Sequence, residues 1–238
     1  MKSYYTVITA ILISMQLLLP SCGEKEGINV TEKAKNTPAT NTSEFKNQIE
    51  QGTYERATLA AGCFWGVESS FRKIPGVVAT SVGYTGGKTE NPTYKEVCYK
   101  NTGHAEAVEI VYDPDVIKYE QILKTFFDIH NPTTPNRQGP DIGSQYRSAI
   151  FYHNDKQKQT AHKIKAELNK SGKFSRPIVT ETTKAQTFYR AEEYHQQYNE
   201  KKVISTKSRP APHSWAEKSS NCSSDKVSPS LFLVIRIL

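Results

Sequence analysis

Two hydrophobic periods take turns along the middle of this chain, and each change of period marks an element. Ala57-Thr58-Leu59-Ala60-Ala61 is small and mostly apolar and reads as a short buried strand. Phe64, Val67 and Phe71 then fall at helical spacing, with the helix expected to end near Gly76. Gly76 to Gly83 alternates and stops at the Gly86-Gly87 turn, a second strand. Asn91-Pro92-Thr93-Tyr94 opens a short helix through Val97, with Pro92 in its first turn. Ala105 to Tyr112 is β-rich, with Val108, Ile110 and Tyr112 on one face, and Asp113-Pro114 ends it. Tyr119 to Phe127 is amphipathic on Ile122, Leu123, Phe126 and Phe127.

Asn131 to Ser144 is a long polar loop broken by Pro132, Pro135, Gly139, Pro140 and Gly143; inside a compact domain such a loop is more often functional than idle. Beyond it come a strand at Ser148 to His153, a helix at Asp155 to Leu168 and a strand at Pro177 to Thr182. A last helix is expected from Phe188 to Tyr198 on aromatic anchors. Strands and helices interleave, yet several connections are too short for helical crossovers. The expected fold is therefore an α+β sandwich rather than a doubly wound parallel sheet.

The flanks read differently. Lys2 followed by an apolar run from Val7 to Leu19 has the form of a signal peptide, too short to span a membrane. Leu19-Pro20-Ser21-Cys22 resembles a bacterial lipoprotein signal, in which Cys22 would be lipidated and become the mature N-terminus; an ordinary secretory peptide and a membrane anchor are the alternatives. Each version puts the body outside the cytoplasm. The expected organisation is a lipoprotein signal peptide at 1–21, a solvated tether at 22–54 too poor in apolar groups to fold, a domain at 55–205 and an irregular tail at 206–238.

Composition changes this picture little. The formal charge of +7 is spread along the chain, with Lys163 and Lys165 on one helix, and no block of interleaved arginines and aromatics argues for nucleic acid. Cysteine usage matters more. There are four, Cys22, Cys63, Cys98 and Cys222; with Cys22 lipidated an odd number remains, which argues for at least one cycling thiol and against a static disulfide framework. No Cys-x-x-Cys pair and no His spacing suggests a metal site.

The sharpest local signal is Gly62-Cys63-Phe64-Trp65-Gly66, where strand gives way to helix. A thiol there faces unpaired backbone N–H groups and the positive end of the helix dipole, which favour the reactive thiolate. Two aromatics beside it would form an apolar pocket.

That segment is the first of a series in order. It is followed by Val82-Gly83-Tyr84-Thr85-Gly86-Gly87, Asn91-Pro92-Thr93-Tyr94, Gly103-His104-Ala105-Glu106 and His130-Asn131-Pro132-Thr133-Thr134. Asn136-Arg137-Gln138-Gly139, Asp141 to Ser148 and Ala191-Glu192-Glu193-Tyr194-His195-Gln196 complete it. Over about residues 55 to 200 the chain resembles the peptide methionine sulfoxide reductases of the A type.

The resemblance implies a ferredoxin-like α+β two-layer sandwich and thiol-dependent reduction of methionine-S-sulfoxide, free or in proteins, to methionine. With the signal sequence, this reads as repair of oxidised exported proteins by a membrane-anchored, extracytoplasmic enzyme. Cys63 matches the nucleophile and would pass through a sulfenic acid. Glu106 matches the acid, Tyr94 and Tyr146 the hydroxyls that hold the sulfoxide oxygen and the acid, and Asp141 a group that orders the site through a water. Phe64 and Trp65 match the pocket for the S-methyl group.

No metal or organic cofactor is implied, only an external dithiol such as a thioredoxin-like protein, and the enzyme would be a monomer. The chain departs from many relatives after the His-Gln block, where Asn199-Glu200-Lys201-Lys202-Val203 replaces the usual cysteine-bearing segment. Cys222 in the tail is then the expected resolving thiol, with direct reduction by an outside thiol as the alternative. Cys98 reads as a packed core thiol. A binding lipoprotein without catalysis and a thiol peroxidase are the competing classes, and no peroxidase motif is present.

Overall fold

A computed structural model of the chain describes Ala39 and residues 41–207. The expected signal peptide, Cys22, Cys222 and the tail past residue 207 lie outside the described residues.

Order begins earlier than composition suggests. Asn41 accepts from the Ser43 N–H and caps a 3-10 turn at Thr42–Phe45, which runs into helix α1 at Lys46–Glu50. The tether expected through residue 54 is thus structured from Asn41. One polar residue explains the correction: Thr42 is buried, and its hydroxyl donates to the Glu109 carboxylate at 2.5 Å. Just upstream, Ala39 makes a bridge to Ala79.

The body then follows β1 Glu55–Ala61, α2 Phe64–Phe71, β2 Val77–Thr85, α3 Tyr94–Tyr99, β3 Ala105–Tyr112 and α4 Tyr119–Ile129. The long loop carries a small hairpin, β4 Arg137–Gln138 with β5 Asp141–Ile142, before β6 Ser148–Tyr152 and α5 Asp155–Ser171. Strand β7 Glu181–Lys184, β8 Tyr189–Arg190 and α6 Tyr198–Lys207 finish it. The sheet order is β7-β6-β1-β3-β2-β8. Strand β3 is antiparallel to both β1 and β2, so β1 and β2 run parallel with β3 between them, the split β-α-β of a ferredoxin-like sandwich. The expected fold class holds.

Alternation in β3 gives the sheet two unlike faces. Val108, Ile110 and Tyr112 join Leu59, Val82, Tyr84, Phe71 and Phe126 in the main core beneath the helices. Ala105 and Ala107 face the other way, onto a smaller cluster with Ala60, Ala149 and Phe151. Among the described residues, no helix is long and apolar enough to cross a membrane.

Three elements differ from expectation. Thr93, not Pro92, starts α3: its hydroxyl accepts from the Glu96 N–H and the Glu96 carboxylate accepts in return, a capping box that leaves Pro92 outside the helix. The strand expected at 177–182 is instead Glu181–Lys184, parallel to β6. The helix expected at 188–198 is absent; that stretch holds β8 and a 3-10 turn at Glu193–His195, and helix starts only at Tyr198. Here side chains override propensity. Gln196 is wholly buried, its amide donating to the carbonyls of Val82 and Ala191 while its oxygen accepts from the Val82 N–H. A helix through this stretch would turn those groups away from β2.

Candidate active site

The turn from β1 into α2 sets the site. Gly62 has φ +91, a left-handed conformation that L side chains rarely adopt, and a Cβ there would lie 2.6 Å from the Gln138 side chain. Glycine therefore allows the 131–144 loop to close over this turn, and Gln138 fixes that loop by accepting from the Asn131 N–H and donating to the Asn131 carbonyl. The next residue, Cys63, is the N-cap of α2 and half-buried.

Glu106, on β3, is 1% exposed and points to the helix side of the sheet. Its carboxylate accepts from the backbone N–H of Phe64 at 3.1 Å, which fixes it one residue from Cys63. Burial pushes its pKa up to about 8; the Phe64 N–H opposes that shift, and the Asp141 carboxylate adds to it. At neutral pH Glu106 holds a proton, so a buried carboxylic acid stands beside the thiol.

The thiol itself corrects an expectation. Burial first, and then the charge of Glu106, push Cys63 up to about 12. The N–H groups of Trp65 and Gly66 pull the other way, as helix-terminus geometry suggested, but neither forms a cap hydrogen bond and desolvation wins. Protonation of Glu106 removes one cause of the shift and leaves burial. The resting site carries a proton on each group.

Tyr146 lies where Glu106, Cys98, Asp141 and Cys63 all raise its pKa, after burial, so its hydroxyl is a neutral donor within reach of their fields. Asp141, on the β4–β5 hairpin, acts on Cys63, Glu106 and Tyr146 alike, and burial raises its own pKa. The loop read as functional from its length does reach the site. Tyr94 also feels Glu106 and Tyr146, but its hydroxyl is hydrogen-bonded to the Cys98 sulfur, one helical turn on. Cys98 is half-buried on the flank of this site rather than packed in the core, because α3 turns the same face as Tyr94 toward it.

Phe64 is buried and Trp65 partly buried. Around them stand residues to which no role was given from the sequence. His195 packs against Phe64 at 5.2 Å and Tyr94 at 4.4 Å, and the Trp65 indole N–H donates to its Nδ1 at 3.0 Å. Burial lowers the His195 pKa to about 4, so the ring is neutral with its proton on Nε2, 4.0 Å from the Glu192 carboxylate. Glu192 accepts from the Tyr84 hydroxyl and from the Tyr94 N–H, tying α3 to this wall. Tyr198 stacks on Trp65 with centroids 3.9 Å apart. The signal for these groups is the density of aromatic and polar residues from Phe188 to Tyr198, the stretch whose spacing predicts a helix.

The fold brings Cys63, Glu106, Asp141, Tyr146, Tyr94, Phe64 and Trp65 into one neighbourhood. Among the described residues, no group of three or more His, Cys, Asp or Glu could hold a metal ion. What the arrangement offers is a thiol, a buried carboxyl beside it and an apolar aromatic wall, the outline of an enzyme site.

Comparisons with known proteins carry this to a family. The family model described as peptide methionine sulfoxide reductase matches residues 55–225. Peptide methionine sulfoxide reductase MsrA of Methanosarcina acetivorans is 55% identical over 177 residues, 74% of this chain and 93% of that protein. The reduced form of Mxr1 from Saccharomyces cerevisiae, 41% identical, superposes with a TM-score of 0.60 over 64% of this chain and 87% of its own. Methionine sulfoxide reductase A of Corynebacterium diphtheriae gives 35% identity and a TM-score of 0.58 over 70% and 83%. The chain belongs to the peptide methionine sulfoxide reductases of the A type, and its activity is that of a peptide-methionine (S)-S-oxide reductase.

Proposed function

We propose that Cys63 and Glu106 carry the chemical step as nucleophile and acid, with Tyr146, Tyr94 and Asp141 ordering the sulfoxide oxygen and Phe64 and Trp65 receiving the S-methyl group. The observation that supports this most is the buried Glu106 carboxyl, held by the Phe64 N–H next to the thiol, where burial raises its pKa to about 8. Sulfoxide oxygen is a poor leaving group as oxide, so it must be protonated as the sulfur is attacked. Glu106 gives its proton to that oxygen, and the Cys63 proton replaces it on the carboxylate. The Cys63 sulfur attacks the sulfoxide sulfur to form an S–S bond. The hydroxyl then migrates from the methionine sulfur to Cys63 as that S–S bond breaks, its electron pair returning to the methionine sulfur. Methionine sulfur gains two electrons, Cys63 loses two, and the products are methionine and Cys63 sulfenic acid, the first rung of thiol oxidation.

A second thiol then condenses with the sulfenic acid, releasing water and forming a disulfide that an external dithiol of thioredoxin type reduces. Cys222 is that second thiol in this reading. The enzyme is a monomer in this reading.

The same reading extends to location. The apolar run ending at Leu19-Pro20-Ser21-Cys22 supports a lipid-anchored, extracytoplasmic enzyme that repairs exported proteins. Radiolabelled palmitate should enter the wild type and not Cys22→Ser; equal labelling would remove the anchor from the account. For the chemistry, Cys63→Ser should lose all turnover of an S-methyl sulfoxide with dithiothreitol. Retained turnover in that variant would overturn the assignment of the nucleophile.

A further inference from the structure

Trp65 is only partly buried, and a large flat ring lines a methyl-sized space only if it does not turn. The stretch from His195 to Asn199 holds it. Tyr198 stacks on the indole with centroids 3.9 Å apart and planes 13° from parallel. The Asn199 amide donates to the Trp65 carbonyl at 3.1 Å. A stack leaves the indole free to slide in its plane, whereas a hydrogen bond is directional and fixes one edge. That edge is the indole N–H, which donates to His195 Nδ1 at 3.0 Å.

An indole N–H only donates, so His195 Nδ1 carries the lone pair and the ring proton sits on Nε2. The imidazole is 1% exposed, between Phe64 at 5.2 Å and Tyr94 at 4.4 Å, and Tyr194 covers it at 4.1 Å. Its Nε2 finds no hydrogen-bond partner among the described residues, and the Glu192 carboxylate stands 4.0 Å from it. A buried N–H left unpaired is costly, and an apolar ring of similar shape would avoid that cost. What the imidazole adds over such a ring is the Nδ1 acceptor for Trp65.

We infer that His195 is a positioning residue for Trp65, and that by holding the indole edge it makes the enzyme select S-methyl over larger S-alkyl sulfoxides. Released from Nδ1, the indole shifts on Tyr198 and the pocket admits an ethyl group. This inference rests on the assignment of Trp65 to the S-methyl pocket made above and adds what fixes the size of that pocket.

The test uses the full chain and the S epimers of N-acetyl-methionine sulfoxide amide and its ethionine counterpart. The wild type should favour the methyl substrate about twentyfold in kcat/KM, the scale of one methylene in a tight apolar pocket. His195→Phe keeps a ring and removes the acceptor; it should cut that preference to about threefold, chiefly by raising KM for the methyl substrate. His195→Asn, whose amide oxygen accepts the same N–H, should keep about tenfold. Trp65→Phe should lower the preference by itself, and adding His195→Phe should lower it no further, as expected of a residue that acts through Trp65. A merely structural role would slow both substrates alike and add in the double variant. An unchanged preference in His195→Phe, or a further fall in the double variant, overturns the inference. A preference untouched by Trp65→Phe would instead sink the assignment of the pocket. Should His195→Phe fold poorly, ¹⁵N NMR of the wild type decides. His195 should show a protonated Nε2 and an unprotonated Nδ1 coupled to the Trp65 indole N–H, and the opposite tautomer overturns the inference.

Discussion

Strand β3 carries two buried glutamates three residues apart, and they lead opposite lives. Glu106 faces the helices and is given one backbone N–H as partner, beside Cys63. Glu109 faces the other side of the sheet, where the Thr42 hydroxyl donates at 2.5 Å and Arg56 pairs with it at 3.4 Å. Its cross-strand neighbours Thr58 and Ser81 are polar too. Glu106 has a single backbone donor and lies beside a thiol, whereas Glu109 is supplied with side-chain donors and fastens the N-terminal segment. One strand thus presents a sparsely partnered carboxyl on one face and an anchored one on the other.

The largest effect should come from removing the proton. Glu106→Gln keeps shape and an acceptor for Phe64 N–H but cannot donate an acid proton, and single-turnover reduction should fall ~10²-fold or more. A loss under about threefold would mean that another group supplies the proton.

The pH profile sharpens the same point. With the acid form required, the rate of the sulfoxide step should decline above about pH 8 in the wild type, and this limb should vanish in Glu106→Gln.

Stability carries an opposite mark. The folded carboxyl titrates near 8 against an ordinary 4.5, so in that window the folded state holds a proton that the unfolded state has lost. Stability from this group is therefore full below about 4.5 and declines toward 8, by about 1.4 kcal/mol per pH unit. Urea denaturation should show the wild type losing stability relative to Glu106→Gln across that range.

The smallest change in activity belongs to Glu109. Glu109→Ala removes the carboxylate that the Thr42 hydroxyl and Arg56 share, leaving Thr42 only the Ser81 hydroxyl, and should cost about 1–3 kcal/mol of stability, while kcat per folded molecule stays within about twofold. A large fall in kcat with normal stability would break the contrast between the two faces.

Much of this was legible in the sequence, because strand and helix periods in 55–171 are set by packing on one core. The Cys63 turn, Glu106 on β3 and Asp141 in the long loop came from local motifs that the fold brings together. What was not legible depended on partners distant in sequence. Gln196 reads as one more polar residue of a helix until its amide is seen to close on Val82, 114 residues away. Thr42 lies in a stretch of low apolarity and is ordered by Glu109, 67 residues on. The Cys63 thiol was expected to ionise because a helix N-terminus is visible in sequence, whereas the burial that prevents it is not.

The account stands on Glu106 being a neutral acid at the pH where the enzyme works. Infrared difference spectroscopy of the reduced protein between pH 6 and pH 10, wild type against Glu106→Gln, reads this directly. The account predicts a protonated-carboxyl C=O band at pH 7 that is lost with a midpoint near 8 and is missing from the variant. A carboxylate signal assignable to Glu106 already at pH 6 would contradict it.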